Sequence, residues 1–450
     1  MSEPRLLIAG TNSGCGKTTV ALALIAIYKN YFPDIVAYKC GFDYIDAGFQ
    51  RSVEKVDTYN LDSWYLGSNQ LQYHFLKTCS PSISIIEGIS GLFDGIGTAG
   101  EGSTFQISEK IKSPVILVIN CRGISASIRA IIRGFKQMSG DKIKGVILNK
   151  VSVSYYPYLK SFCEMEGVLC FGFIPFDERL KLGSWNTDLM TIKESADLPE
   201  NIELLISYAK KYVDLKSVFS VACAAEDLNE PAYSPIEIEN NQSLRLAVAS
   251  DEAFCFTYQE NMEMFQENNI EIVPFSPVHD MVLPPDISGL YLPGGYQELH
   301  LKELSENNNM KRRIKGAILE GMPTFAECGG FLYLHEFLEG YPMVDIIHGS
   351  AEKHETLQRF GYGTLVSNND NLLLKKGEEI PIHEFHYYSS SFDGSDCYYI
   401  RKRDGKKYPA EHAKDNLFAG FPYLYFPAKP EMVQRFKKAM IQYKERQSDE

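Results

Sequence analysis

Long apolar runs are missing from this chain of 450 residues, since no stretch reaches the roughly 18 residues that a membrane-spanning helix requires. Disulfide and zinc patterns are missing too, because the ten cysteines are scattered and form no C-x-x-C pair. The N-terminal residues MSEPR lead directly into an apolar run, which leaves no space for a signal peptide. We therefore expect a cytoplasmic protein that is not inserted in a membrane.

Positive charge is in deficit, with 45 Lys and Arg residues against 58 Asp and Glu residues and a net charge of −13. This balance disfavours a nucleic-acid backbone as partner, and we find no basic stripe that compensates for it. An anionic substrate would then need a local positive pocket. The length suggests two or three domains, and 44% hydrophobic with 23% charged residues is typical of a globular protein.

Apolar runs alternate with helical segments in the first half of the chain, which predicts an α/β domain with a doubly wound parallel sheet. The runs are nearly all apolar, as in strands that are buried on both faces. They occupy residues 6–9, 35–38, 83–86, 115–119, 146–148 and 168–174.

A segment that contains proline, asparagine and acidic residues divides the chain. We predict a first domain over residues 1–220, a linker over 221–243 and a second domain over 244–445. The second half alternates again, so we expect two tandem α/β domains. Its strand-like runs occupy residues 244–249, 270–273, 289–292 and 323–326.

The segment GTNSGCGKTT at residues 10–19 lies between the first apolar run and a helix predicted over residues 20–29. A strand, loop and helix in this order direct backbone N–H groups at one spot, which suits a nucleotide phosphate. Thr11 replaces the first glycine of the usual G-x-x-x-x-G-K-[ST] pattern, and Gly10 lies one residue earlier. Lys17 would bridge the β- and γ-phosphates of the nucleotide. The predicted nucleotide site comprises Asn12, Ser13, Gly14, Cys15, Gly16, Lys17, Thr18 and Thr19.

Acidic residues follow two of the predicted strands in the first domain. Asp43 and Asp46 come just after the second run, and Glu87 ends the third. The carboxyl ends of the strands form the ligand crevice of a doubly wound sheet. We therefore predict that Asp43, Glu87 and the hydroxyl of Thr18 converge on one Mg²⁺, an ion that prefers oxygen ligands.

The second domain contains GMPTFAECGGF at residues 321–331. A short strand, a cysteine and two glycines that open a helix describe a nucleophile elbow around Cys328. The helix N-terminus would lower the pKa of this thiol. The preceding residues 292–296 (LPGGY) would place backbone N–H groups near it, where they could hold an oxyanion.

Longer motifs occur in order along nearly the whole chain. They are residues 41–49 (GFDYIDAGF), 60–67 (NLDSWYLG), 87–95 (EGISGLFDG), 101–104 (EGST), 145–151 (GVILNKV), 254–256 (FCF) with Asn261, 292–300 (LPGGYQELH), 326–333 (AECGGFLY) and 384–389 (EFHYYS). Together they resemble the cobyrinic acid a,c-diamide synthase family, which joins a P-loop ATPase of the dethiobiotin-synthetase type to a class I glutamine amidotransferase domain. The ATPase relatives also set the first loop glycine one residue early, so Gly10 supports the resemblance.

The resemblance implies a ligase that uses ATP and Mg²⁺. ATP would activate the a and c acetate carboxylates of cobyrinic acid as acyl phosphates, and ammonia taken from glutamine would replace the phosphate. Elementary chemistry agrees with this order, because a carboxylate that is not activated would have to expel oxide.

The resemblance also assigns roles to single residues. Asp43 and Glu87 correspond to metal-site acids of the related ATPases, and Asn149 falls at a nucleotide-binding position. The assigned substrate residues are Tyr44, Ile45 and Asp46, and the assigned catalytic residues are Lys17, Asp43, Asp46 and Cys328.

One departure from the family lies in residues 416–431 (NLFAGFPYLYFPAKPE), where a His-x-His pair is usual and this chain has Tyr423 and Tyr425. A tyrosine with a pKa near 10 is a poor base at neutral pH, so the base expected for the cysteine is missing. His386 or His383 could replace it, the glutaminase could be inactive so that the enzyme uses free ammonia, or the protein could have diverged from corrin chemistry. We favour free ammonia.

A second departure lies at residues 180–189 (LKLGSWNTDL), and it could change substrate contacts. The alternatives to cobyrinic acid chemistry are the same reaction on nickel sirohydrochlorin and a P-loop switch or assembly protein that forms no amide. A free-standing glutaminase is disfavoured by the two missing histidines. The resemblance makes a homodimer plausible.

Overall fold

The structure is a computed structural model, and it describes residues 3–180, 198–233 and 243–449. The chain forms two compact units, Met1–Tyr233 and Ser234–Glu450. Within the described ranges, no helix combines the length and the apolarity that crossing a bilayer would require. Residues 181–189 of the second sequence departure lie outside the described residues.

A seven-stranded sheet forms the centre of the N-terminal unit. Its strands are β1 (Arg5–Gly10), β2 (Val36–Cys40), β3 (Thr58–Leu61), β4 (Ser84–Glu87), β5 (Val115–Asn120), β6 (Ile143–Val151) and β7 (Cys170–Pro175). All neighbouring pairs are parallel, in the order β3-β2-β4-β1-β5-β6-β7. The doubly wound parallel sheet is therefore confirmed, with β3 as an edge strand that the sequence analysis did not predict.

Eight helices connect and cover these strands in the described part of the unit. The helices are α1 (Lys17–Lys29), α2 (Tyr44–Glu54), α3 (Ser68–Thr78), α4 (Thr104–Lys110), α5 (Ile128–Ser139), α6 (Tyr156–Met165), α7 (Leu198–Tyr212) and α8 (Leu215–Cys223). Helix α1 is deeply buried, because all of its residues from Val20 to Tyr28 are buried.

The predicted start of the linker at residue 221 is wrong, because residues 221–223 are the last turn of α8. Val218 and Ala222, four residues apart on one face of this helix, are buried in the core of the N-terminal unit. Residues 234–242 of the predicted linker lie outside the described residues. The other predicted domain boundaries stay predictions.

The C-terminal unit contains five helices in its described part. They are α9 (Gln259–Glu267), α10 (Leu301–Glu306), α11 (Asn308–Leu319), α12 (Gly329–Tyr333) and α13 (Glu431–Asp449). Its strands are β8 (Leu244–Ala249), β9 (Ile270–Phe275), β10 (Gly289–Leu292), β11 (Thr324–Glu327), β12 (His335–Leu338), β13 (Tyr341–Pro342), β14 (Ile347–Lys353), β15 (Arg359–Ser367), β16 (Glu379–His386), β17 (Tyr388–Ser390), β18 (Cys397–Arg401), β19 (Lys407–Ala410), β20 (His412–Lys414), β21 (Leu417–Gly420) and β22 (Tyr423–Leu424).

The main sheet of this unit has the order β20-β21-β11-β10-β8-β9. The strands from β21 to β9 in this order run parallel to one another. The edge strand β20 pairs antiparallel with β21. The four predicted strands are all present in it, so the expectation of two tandem α/β domains is confirmed. Two further sheets, β13-β12-β14-β17 and β19-β18-β15-β16-β22, were not predicted.

Candidate functional site

The loop between β1 and α1, which we name the phosphate loop (residues 10–19), depends on two glycines. A Cβ on Gly10 would overlap the buried Sγ of Cys15, so the thiol takes the space that a side chain would need. Gly16 has a left-handed φ of 105°, and a Cβ there would overlap the amide of Asn149. Because the Cys15 side chain packs against position 10, this position has to be glycine. This explains why the first glycine of the loop lies one residue earlier than in the usual pattern. Helix α1 begins at Lys17, three residues before the predicted start.

The central part of the phosphate loop faces solvent, because Asn12, Ser13 and Gly14 are exposed. Asn149 lies beneath the loop, and its Nδ2 donates a hydrogen bond of 2.9 Å to the carbonyl of Cys15. It therefore supports the loop backbone in this structure. Its predicted contact with the nucleotide, like that of the half-buried Thr19, stays a prediction.

The Lys17 ammonium lies over the phosphate loop. Its Nζ donates hydrogen bonds to the carbonyls of Ser90, at 2.5 Å, and Asn12, at 3.4 Å. Ser90 follows β4 in a left-handed conformation with a φ of 49°. The lysine is buried apart from 7% of its surface, so its positive charge is fixed where phosphate oxygens would lie.

Thr18 and Glu87 meet as the sequence predicts, and Lys39 joins them. The Thr18 hydroxyl donates a 2.6 Å hydrogen bond to Oε1 of Glu87, and the Lys39 ammonium lies 2.7 Å from the same oxygen. Both charged residues are buried, Glu87 completely. A buried carboxylate is stabilised by such a partner, so Lys39 neutralises Glu87 at the floor of the site.

Lys39 was not singled out from the sequence, although a signal existed. A lysine inside the otherwise apolar strand VAYKC is unusual in a strand buried on both faces. Gln50 of α2 was also missed, and its Nε2 donates a 2.6 Å hydrogen bond to Oε2 of Glu87. This amide fixes the second carboxylate oxygen.

Asp43 also reaches this cluster, since its Oδ2 lies 3.9 Å from the Lys39 ammonium. The structure therefore brings Thr18, Asp43 and Glu87 to one place, with a hydroxyl and two carboxylates as oxygen donors. This donor set fits Mg²⁺, which is bound through few protein oxygens together with phosphate. The Glu87 carboxylate would then contact both the Lys39 ammonium and the Mg²⁺ ion.

The predicted substrate residues lie at the start of α2, next to the metal-site acids. Tyr44 is buried and Ile45 is half-buried. The backbone before them is fixed by Asn60, whose Nδ2 donates to the carbonyl of Gly41 at 2.9 Å. Asp46 is on the same helix, but its side chain lies outside the described residues. The roles of these three residues stay predictions.

Cys328 occupies a strained elbow between β11 and α12. Its φ of 46° and ψ of −105° are far from the values that a non-glycine residue prefers. The backbone N–H of Cys328 donates to the carbonyl of Gly420 at 2.7 Å, which fixes the turn against β21. This conformation is that of a nucleophile elbow, in which a strained residue joins a strand to a helix.

The LPGGY segment packs closely against the elbow. A Cβ on Gly330 would overlap the carbonyl of Leu292, and a Cβ on Gly329 would overlap the buried amide of Gln297. Gly295 is equally restricted by the carbonyl of Ala253. The glycines therefore allow two backbone segments to approach the cysteine, as an oxyanion site requires.

The expectation of a low thiol pKa at Cys328 is wrong. Its pKa is raised to about 12, chiefly by burial and to a smaller degree by the carboxylates of Glu298 and Glu327, while a hydrogen bond from the Tyr423 side chain acts in the opposite direction. The five-residue helix α12 does not offset this desolvation. Of the two tyrosines in the first sequence departure, Tyr423 is therefore the hydrogen-bond partner of the thiol, and Tyr425, two residues later, is completely buried.

The two candidate histidines have the surroundings of structural residues. His386 stacks on Phe421 with ring centroids 3.8 Å apart, and its Nδ1–H donates to the carbonyl of Tyr388 at 2.7 Å. Burial lowers the pKa of His386 to about 3 and that of His383 well below its usual value. Among the residues that the structure describes, the thiol of Cys328 is hydrogen-bonded to a tyrosine and not to a histidine.

Comparison with known proteins identifies both domains. A family model for the CobQ/CobB/MinD/ParA nucleotide binding domain matches residues 6–186, and one for the CobB/CobQ-like glutamine amidotransferase domain matches residues 245–425. The fold and these matches define the class of the protein, an ATP-dependent ligase that forms amides and joins a P-loop domain to an amidotransferase domain.

Relatives of similar length identify the family within this class. Proteins named cobyrinate a,c-diamide synthase from Caldanaerobacter subterraneus subsp. tengcongensis, Thermoplasma volcanium and Clostridium tetani are 37%, 35% and 34% identical to this chain. The alignments cover 96%, 98% and 97% of this chain and 97%, 98% and 99% of the relatives. The chain belongs to the cobyrinate a,c-diamide synthase family, which confirms the resemblance seen in its motifs.

Proposed function

We propose that the protein amidates the a and c acetate carboxylates of cobyrinic acid through acyl phosphates formed with ATP, and that free ammonia supplies the nitrogen. The names of relatives that match over nearly the full length support the substrate. The observation that carries the reaction class is the cluster of Thr18, Lys39 and Glu87 beside the phosphate loop. A protein that only bound nucleotide would have little need for Asp43 in addition.

The first step forms a bond between a substrate carboxylate oxygen and the γ-phosphorus of ATP, and it breaks the bond between that phosphorus and the β–γ bridging oxygen. Negative charge develops on the leaving ADP, and the Lys17 ammonium is positioned to neutralise it. Lys39 adds positive charge at the floor of the site. Thr18, Asp43 and Glu87 would hold Mg²⁺, which supplies further charge neutralisation when bound.

The second step forms the amide. Ammonia attacks the acyl carbon, the carbon–oxygen bond to phosphate breaks, and the nitrogen loses one proton to water or phosphate. No protein nucleophile is needed for this step, because the acyl phosphate is already activated.

The surroundings of Cys328 support free ammonia as the source of nitrogen. Glutamine hydrolysis needs a thiolate and a base that returns a proton to the leaving ammonia. Here the pKa of the thiol is raised to about 12 and its hydrogen-bond partner is Tyr423, which has no basic nitrogen. We place the reaction in the cytoplasm, since all ten cysteines are free thiols, as expected in a reducing compartment.

The test incubates the purified protein with cobyrinic acid and Mg-ATP, with either ammonium chloride or glutamine, and follows the product by mass spectrometry. We expect the diamide with ammonium and none with glutamine. Equal product from glutamine would overturn the proposed nitrogen source. No product from cobyrinic acid would overturn the substrate, and a parallel reaction with nickel sirohydrochlorin would then distinguish a different macrocycle from a switch protein that forms no amide.

A further inference from the structure

Gln50 of α2 lies where glutamine side chains are rare. It is completely buried, whereas glutamine is mostly exposed in folded proteins. Its Nε2 donates the 2.6 Å hydrogen bond to Oε2 of Glu87. The amide cannot be turned the other way round, because a carboxylate accepts hydrogen bonds and donates none. The carbonyl oxygen Oε1 of Gln50 is therefore not part of this bond.

This carbonyl oxygen has no partner of its own. Gln50 Oε1 is buried and accepts no hydrogen bond from any residue in the described part of the chain. A buried polar atom without a partner is rare and costs free energy. Because Oε1 and Nε2 share a carbon atom, Oε1 lies beside the same carboxylate. The amide thus offers an acceptor next to the predicted metal site.

The donors around Glu87 leave one position open on the same side. Oε1 of Glu87 accepts from Thr18 and Lys39, whereas Oε2 accepts from Gln50 alone within the described ranges. Each carboxylate oxygen has about two lone pairs, so those of Oε1 are used and one on Oε2 remains. The position where Glu87 can take a further ligand is therefore next to the Gln50 amide.

The spacing of residues along α2 explains how the amide reaches this position. Ala47 and Gln50 come four and seven residues after Asp43, so the three lie on one helical face. Ala47 is completely buried, which shows that this face is directed away from solvent. Asp43 lies 3.9 Å from the Lys39 ammonium. One helical face therefore brings both a metal-site acid and the amide to the Lys39–Glu87 pair.

We propose that Gln50 is a positioning residue of the Mg²⁺ site. Its Nε2 holds Oε2 of Glu87 in one orientation, and its Oε1 accepts a hydrogen bond from a water molecule that the ion carries. Mg²⁺ in proteins usually keeps several of its waters, and these waters are donors. Groups that orient metal ligands typically contribute roughly 10- to 100-fold to metal affinity. The inference rests on the proposed function, because the ion belongs to its phosphoryl-transfer step.

A purely structural role of the amide has different consequences. Gln50 would then only hold α2 against the sheet, and a permanently bound water would satisfy its Oε1. Loss of the amide would weaken nucleotide binding to the same degree with and without Mg²⁺. A positioning role instead changes only the part of the nucleotide affinity that depends on the metal.

The experiment measures binding of the non-hydrolysable nucleotide AMP-PNP to the full chain by calorimetry, once with magnesium chloride and once with EDTA. Gln50→Met keeps the length of the side chain and removes both polar atoms. We expect the gain in affinity that Mg²⁺ gives to the wild type to shrink about tenfold in this variant, a change of roughly 1.4 kcal/mol. The affinity in EDTA should stay unchanged. An unchanged gain would overturn the inference, and so would an equal loss under both conditions.

A second variant keeps the test decisive if Gln50→Met does not fold. Gln50→Asn retains the amide but is one methylene shorter, so it should lose the bond to Glu87 and show the same reduced gain. The wild-type gain in a folded Gln50→Asn protein would count against the proposal.

Gln72→Met is the matched control. The Gln72 Nε2 donates to the carbonyl of Lys110 at 2.7 Å, which is a backbone group at the end of α4 and not a metal-site residue. This variant should keep the wild-type gain from Mg²⁺. A loss as large as that in Gln50→Met would mean that removing a glutamine amide has a general effect, and the assignment to Gln50 would fall.

A double-mutant cycle tests whether Gln50 acts through Glu87. In the Glu87→Gln background, Gln50→Met should have little further effect on the gain from Mg²⁺, because the carboxylate that Gln50 positions is gone. A full further tenfold loss would show that the two residues act independently, which contradicts a positioning role.

The amidation assay supplies an independent measurement. The Mg²⁺ concentration that gives half the maximal rate should rise about tenfold in Gln50→Met, and excess Mg²⁺ should restore kcat. A kcat that stays low at every Mg²⁺ concentration would contradict a role in metal binding alone.

The failures of the two proposals are distinguishable, because the binding experiment contains no cobyrinic acid. If the wild type forms the diamide and Gln50→Met keeps the full gain from Mg²⁺, only the inference about Gln50 fails. If the wild type forms no amide but gains affinity from Mg²⁺ through Gln50, only the proposed substrate fails. A wild type without any gain from Mg²⁺ would overturn the predicted metal site, and the inference about Gln50 with it.

Discussion

The side chain of Tyr423 makes a hydrogen bond to the thiol of Cys328. A phenol can donate a proton to sulfur but cannot take one up at neutral pH. The strained elbow, the close glycines and the thiol are therefore all present, but the hydrogen-bond partner of the thiol is not a base. The prediction follows that one or two substitutions restore the missing function.

The variant Tyr423→His with Tyr425→His should gain glutaminase activity. A positioned general base contributes roughly 10² to 10⁴-fold to such reactions, so we expect glutamate release to rise at least about 100-fold above the wild type. The measurement is glutamate release in the presence of cobyrinic acid and Mg-ATP. Adding Cys328→Ala to the double variant should abolish the gain, and an equal rate in the wild type would show that another base already serves the cysteine.

Alkylation of Cys328 should depend steeply on pH. Because its pKa is raised to about 12, the reactive thiolate is a small fraction at neutral pH and grows tenfold with each pH unit. We expect the rate with iodoacetamide to rise about tenfold per unit between pH 7 and pH 9, followed by peptide mass spectrometry. The exposed Cys255 in the same digest reports reagent activity. A rate that reaches a plateau below pH 8 would contradict the raised pKa.

Lys39→Met should destabilise the N-terminal unit and abolish ATP turnover. The substitution leaves the buried carboxylate of Glu87 without its 2.7 Å partner, and breaking a buried ion pair typically costs about 3–5 kcal/mol. Urea denaturation measures the loss. The double variant Lys39→Met with Glu87→Gln removes both charges, so we expect it to recover most of the stability but none of the turnover. Full turnover in the stable double variant would exclude the proposed role of the pair.

The stability of the C-terminal unit should fall as pH rises through the neutral range. Burial raises the pKa of Glu327 to about 8 in the folded protein, from a usual value of 4.5. Its contribution is therefore present below about pH 4.5 and is lost as pH rises towards 8, because the unfolded state releases the proton first. Thermal unfolding at several pH values checks this.

Glu327→Gln is the control for this pH dependence. The amide can accept from the backbone N–H of Leu424 and can donate to the hydroxyl of Tyr291, the two groups that now bond to the carboxyl oxygens. We expect the variant to lose less stability between pH 5 and pH 8 than the wild type. If the stability of the variant and that of the wild type fell equally between pH 5 and pH 8, the pH dependence would come from other groups.

The elements that could be predicted are those whose signal is local. One example is the order of strand β1, the phosphate loop and helix α1, which follow one another in the sequence. An apolar run followed by glycines and Lys17 is compatible with few other structures. The elbow at Cys328 is local in the same way. Strands β15 and β16 gave no comparable signal, because their aromatic residues blur the alternation of polar and apolar residues.

The sequence by itself determined the two α/β domains, the phosphate loop, the acidic residues beside it and the amidotransferase elbow. Each of these depends on residues that are close together in the chain or that end neighbouring parallel strands. Only the tertiary structure decided that Lys39 neutralises Glu87, that burial raises rather than lowers the pKa of Cys328, and that Tyr423 contacts the thiol. These are properties of distance and desolvation between groups far apart in sequence, and no local pattern encodes them.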